Sequence, residues 1–141
     1  MSEIIILNLF VSSFMCGLIV TTQLVTYPLF SSISNSGFTK YHINYVSKIS
    51  IIAGPAMLLE LVIASFLLYN FGNLPSKLIF FITILIFLST FFIQVPIHDR
   101  IKYNANNLLF KKLVMTNWIR TVLWSLKCIV STSLFFKEIL V

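Results

Sequence analysis

Four apolar runs, at about residues 4–30, 46–70, 76–97 and 113–136, take up most of the 141-residue chain. Each exceeds the ~20 residues that an α-helix needs to cross a ~30 Å hydrocarbon core. In that medium every backbone N–H and C=O must be satisfied within the protein, which leaves helices and closed barrels. Barrel strands would be ~10 residues long with alternating polarity, and these continuous runs do not alternate. The expectation is an all-α fold: a single domain over residues 1–141, a four-transmembrane-helix bundle integral to the membrane. Composition agrees. A chain 58% hydrophobic and 10% charged, with mean hydropathy +0.97, carries too few charges to face water all round.

Charge placement gives an orientation. The 31–45 and 98–112 connections share one side and hold Lys40, Arg100, Lys102, Lys111 and Lys112, with Lys48 adjoining, against one acid, Asp99. The other side holds Lys77 and Lys137, opposed by Glu3 and Glu138. Basic connections stay in the cytoplasm, so both termini are expected to be non-cytoplasmic and the protein to be multi-pass in the cell (inner) membrane. The net charge of +6 is thereby spent on orientation, and no nucleic-acid partner is expected. Met1-Ser2-Glu3 runs directly into apolar sequence without a basic leader or a small-residue cleavage site, which reads as a retained helix. Cys16 and Cys128, both inside apolar runs, read as free buried thiols.

Prolines punctuate the spans. The first run closes at Tyr27-Pro28, and Asn70-Phe71-Gly72-Asn73-Leu74-Pro75 forms a turn-rich link. Pro55, beside Gly54, is expected to kink the second helix, and Pro96 to bend the third near its end.

Polar side chains inside hydrocarbon are expensive, so their placement carries the functional information. At 100° per residue, each helix bears one polar stripe. Asn8, Ser12, Cys16, Gln23 and Tyr27 share a face of the first; His42 and Glu60 share an azimuth on the second. The third carries Thr83, Thr90, Gln94 and His98; the fourth carries Asn117, Arg120, Trp124, Lys127 and Ser131. In a bundle the stripes turn inward. Ser12, Thr83, Thr90 and Ser131 read as interhelical hydrogen-bond glue. Glu60 is the one acid within a span, so it must protonate or find a cation. Arg120 is the expected partner, while Lys127 is expected to snorkel outward.

A second cluster forms at the cytoplasmic ends from Gln23, Tyr27, His42, Tyr45, Gln94, His98 and Asn117. Two histidines from different helices invite a metal or haem reading. With no third carboxylate or thiolate nearby, interfacial histidines capping a polar cavity are preferred, with no metal and the cofactor left unknown. The chain has no P-loop, nucleophile elbow, GxGxxG or HExxH pattern.

The strings Leu113-Val114-Met115-Thr116-Asn117-Trp118-Ile119-Arg120-Thr121-Val122-Leu123-Trp124 and Gln94-Val95-Pro96-Ile97-His98-Asp99-Arg100-Ile101 resemble bacterial four-helix membrane proteins of uncharacterised function. These look like distant relatives of the anthrone-oxygenase-like superfamily. Gln23 with Tyr27-Pro28, and the Pro55 to Glu60 stretch, sit where that family carries comparable features. The resemblance implies a small helical membrane fold and, at its furthest, oxygen insertion into activated polycyclic rings.

Two functions are weighed. One is a membrane-embedded oxidoreductase or oxygenase-like protein that binds a small lipophilic, quinone- or aromatic-type molecule. In it Glu60 or a histidine such as His98 transfers protons, and Arg120 with Asn117 stabilises negative charge on a ring oxygen. Gln23, Tyr27, His42, Gln94 and Trp124 complete the expected binding site. The alternative is a non-catalytic small subunit or assembly factor, packing against a larger membrane complex or an identical copy through an outward surface that includes Phe80, Phe81, Phe87, Phe91 and Phe92. A transporter is disfavoured for want of an inverted repeat.

Overall fold

The computed structural model describes residues 1–33 and 35–140. They form four helices, each long and apolar enough to cross a membrane: α1 (Ser2–Ser32), α2 (Asn35–Phe71), α3 (Leu74–Tyr103) and α4 (Asn107–Glu138). No strand occurs among the described residues.

The helices run well past the hydropathy boundaries, and the reason is chemical. Hydropathy marks the part of a helix that faces lipid, whereas the backbone stays helical until something stops it. At the end with the basic connections, α2 begins eleven residues before position 46 and carries Lys40, Tyr41 and His42 as helix. The expected 98–112 connection shrinks to Asn104-Ala105-Asn106, where the Asn106 side chain caps α4 by accepting from Leu109 N–H at 2.9 Å. At the opposite end, Gly72 adopts φ +57°, the left-handed conformation that favours glycine, and its N–H bonds the Leu68 carbonyl at 3.1 Å. Asn73 then caps α3 through Ser76 N–H at 3.0 Å.

Pro28 does not close its helix, and the helical backbone of α2 continues through Pro55. Instead α1 and α3 each contain one widened π turn, Thr22–Thr26 and Thr90–Gln94, and each ends two residues before a proline, Pro28 or Pro96. A proline ring clashes with the carbonyl four residues earlier. A widened turn moves that carbonyl aside, so the helix passes the proline without ending.

The helices close a ring in the order α1, α2, α3, α4. Packing is most extensive where α4 meets α1 and α3, and least where α1 meets α2. Ile5, Met15, Ile19, Ile63, Leu67, Ile79, Ile86 and Leu134 fill the core of the half nearer the termini. At the other end an aromatic plug forms from Phe30, Phe38 and Phe110, with Phe38 and Phe110 ring centres 4.8 Å apart. Between these two packed regions α2 stands off from the bundle.

Candidate functional site

A cavity of about 360 Å³ occupies that gap between α1, α2 and α3, with α4 as its floor. Its walls are largely apolar, from residues such as Met15, Ile49, Ala53 and Met57. Both π turns face it, through Thr22 of α1 and Thr90 and Gln94 of α3, and Tyr27 joins them just after the first turn. Ser50, Phe91 and Val95, which also line it, are exposed on the outer surface between α2 and α3, so the cavity opens sideways there. Gly54 forms part of the wall, and a Cβ added there meets no atom within 4 Å.

Arg120 and Trp124 lie one turn apart on the floor. Arg120 is 8% exposed and has no carboxylate within salt-bridge distance among the described residues. Its Nε donates to Asn117 Oδ1 at 2.9 Å, one Nη donates to the same oxygen, and that Nη also donates to Tyr27 Oη at 3.2 Å. Asn117 in turn donates to Gln23 Oε1 at 2.8 Å, and Gln23 Nε2 donates to the Val114 carbonyl at 3.1 Å. Gln23 and Asn117 therefore stand behind the cavity and fix the guanidinium; they do not line it.

From Tyr27 a second set of bonds runs toward the aromatic plug. Tyr27 Oη lies 2.9 Å from His98 Nε2, and His98 Nδ1 lies 2.9 Å from His42 Nε2. The two imidazoles stack at 5.1 Å, and Phe38 stacks on His42 at 5.6 Å. His42 is absent from the cavity wall. It lines a second depression of about 230 Å³, with His98, Asp99 and Lys102, that opens at the basic end. Both nitrogens of His98 are thus engaged by protein. Among the described residues no group of three His, Cys, Asp or Glu side chains gathers that could hold a metal.

Gln94 shows what the cavity leaves free. Thr116 gives its hydroxyl hydrogen to the Lys112 carbonyl at 2.8 Å, so the group 3.0 Å from Thr116 Oγ1 must be the Gln94 NH₂. Gln94 Oε1 is then a buried acceptor without a partner among the described residues, as is the Thr90 hydroxyl. A threonine in a regular helix returns its hydroxyl to the carbonyl four residues earlier, as Thr83 does to Ile79 at 2.8 Å. Thr90 makes no such bond, although Thr22, at the same place in the α1 turn, bonds the Leu18 carbonyl at 2.8 Å. Neither Thr83 nor Thr90 makes the interhelical bond expected of it; Ser12 and Ser131, 3.4 Å apart, do meet across α1 and α4.

The expected Glu60–Arg120 pair does not form. Glu60 Oε1 is paired with Lys127 Nζ at 2.8 Å, and Glu60 Oε2 accepts from Trp124 Nε1 at 2.9 Å. Lys127 does not snorkel: its side chain is 0% exposed and that of Glu60 is 2% exposed. The cause is the true helix boundaries. Glu60 is eleven residues from the end of α2 and Lys127 eleven from the end of α4, which puts both ~16 Å below the same surface. That distance exceeds the reach of a lysine side chain. Arg120 lies seven residues, ~10 Å, nearer the basic end. Lys127 shares the stripe of Arg120 and Trp124, so the pairing is readable from the sequence once the helix ends are placed correctly.

Cys16 and Cys128 are free, each within 3.7 Å of a serine on the facing helix, Ser125 and Ser13 respectively. Comparison with protein-family models, curated proteins and solved structures gives no match.

Proposed function

We propose that the bundle binds a small lipophilic molecule, of quinone or aromatic type, that presents an electron-rich oxygen to Arg120. One observation carries this reading: a buried guanidinium without a carboxylate partner among the described residues sits on the floor of an apolar cavity. Burying a charge without a counter-charge is costly. Asn117 and Tyr27 supply oxygen acceptors to only part of the guanidinium, and an oxygen-bearing ligand would complete its set. The volume lies at the small end of the ~300–1,000 Å³ range of ligand sites. The sideways opening between α2 and α3 suits a molecule dissolved in lipid. In this reading the protein lies in the inner membrane with both termini outside, and the histidine end faces the cytoplasm.

Among reactions, the cavity groups suit proton transfer at a ring oxygen, a step that an oxidoreductase or oxygenase acting on such a molecule requires. Tyr27 and His98 take the proton-transfer role expected of Glu60, which is committed to Lys127. Arg120 supplies the charge that stabilises an oxyanion.

The test is extraction and mass spectrometry of lipophiles from protein purified in mild detergent. An oxygen-bearing aromatic or quinone should accompany the wild type. It should be lost from Arg120→Met, which removes the donor, and from Gly54→Leu, which fills the wall while leaving Arg120 in place. Equal retention by all three proteins would overturn the reading.

A further inference from the structure

The bonds from Arg120 to His42 have a direction, and it is set by the one member that cannot accept. A guanidinium only donates, so Tyr27 Oη accepts from Arg120. The Tyr27 hydroxyl hydrogen then has one partner, His98 Nε2 at 2.9 Å. A neutral imidazole that accepts at Nε2 carries its hydrogen on Nδ1, which therefore donates to His42 Nε2 at 2.9 Å. The same step leaves His42 with its hydrogen on Nδ1, at the end of the line and without a partner among the described residues. Every hydrogen is passed from the cavity side toward His42, which borders the second depression with its Nδ1 buried. Tyr45 and Asp99, the other titratable groups beside the histidines in the cavity wall, share no hydrogen bond with either.

We propose that Tyr27, His98 and His42 form a proton relay that discharges the acidic proton of a hydroxyl-bearing lipophile as it binds, so that the ligand is held at Arg120 as an oxyanion. The proposal rests on the lipophile-binding reading above and narrows its ligand class to weak acids of the phenol type. The proton balance closes without a redox partner. The ligand O–H proton passes to Tyr27 Oη as the Tyr27 hydrogen moves to His98 Nε2. The His98 Nδ1 hydrogen moves to His42 Nε2, and the His42 Nδ1 hydrogen, buried beside the second depression that His42 lines, leaves when the ring opens to water there. One proton enters the relay, one leaves, both imidazoles stay neutral with their tautomers reversed, and the ligand anion becomes the counter-charge of Arg120.

The probe is 1-naphthol, whose naphtholate absorbs at longer wavelength than the phenol, with its methyl ether, 1-methoxynaphthalene, as control. Stopped-flow mixing with wild-type protein in weakly buffered detergent should show the naphtholate spectrum, with about one proton released per bound probe. The ether should bind without proton release. His42→Gln and His98→Gln keep an acceptor for the neighbouring hydrogen but cannot pass a proton on; both should bind 1-naphthol yet form naphtholate at least about tenfold more slowly. Wild-type rates in either variant, or 1-naphthol held as the neutral phenol by the wild type, overturn the relay alone. A wild-type rate that is unchanged in D₂O overturns it too, and needs no variant. Failure of both probes to bind overturns the lipophile reading, and the relay falls with it.

Discussion

At the scale of single residues, the molecule separates its two buried cations by the company they keep. Lys127 meets a carboxylate at 2.8 Å, while Arg120 meets only neutral oxygens. Removing one member of a buried pair strands the other charge, at a cost of about 3–5 kcal/mol, whereas removing both leaves nothing to strand. Lys127→Met should therefore lower thermal stability in detergent far more than Glu60→Gln/Lys127→Met, and a double-mutant cycle on Tm checks it. Additive losses would show that the pair is not coupled. The polar residues were legible in the sequence as a set, because a carboxylate or guanidinium within an apolar run is hard to miss. Who bonds whom was not legible. It depends on axial offsets of a few ångströms, and an error of several residues in where a helix begins moves a side chain by two turns.

At the scale of helices, number and inward face could be read from the sequence, while ends and irregular turns could not. The stripes on α1 and α4 placed Asn8, Ser12, Cys16, Gln23, Tyr27, Asn117, Arg120, Trp124, Lys127 and Ser131 inward, and all are buried except Cys16, which is half-buried. The widened turns escaped notice because proline in a span signals a break or a kink, and the alternative depends on packing that apolar residues do not encode. The link between α2 and α3 is sharper: Gly72 at φ +57° is there because other residues are strained in that conformation. Gly72→Ala should destabilise the bundle by about 1 kcal/mol, read as a drop in Tm with ligand binding intact, since the turn lies at the far end from the relay. An unchanged Tm would mean the turn relaxes without strain.

For the whole molecule, the ring order of the helices and the gap beside α2 were beyond the sequence, because every helix offers one polar stripe and several arrangements would bury all four. Orientation depends on Lys40, Arg100, Lys102, Lys111 and Lys112 lying at one end, with Lys77 and Lys137 at the other. Single cysteines replacing Lys111 and Lys137, in a Cys16→Ser/Cys128→Ser background, test it with a membrane-impermeant maleimide on intact cells. Labelling is expected at position 137 and not at 111; the reverse pattern would invert the topology and place the relay's outlet outside.

The buried pair also bears on how the chain enters the membrane. Helix α4 is the least apolar of the four and brings both Arg120 and Lys127 into hydrocarbon, each costing about 2.5–3.5 kcal/mol on insertion scales when alone near the centre. The groups that receive them, Glu60 on α2 and Tyr27 on α1, are synthesised first. The last span is thus a late arrival that depends on a receiving surface already assembled from the first two.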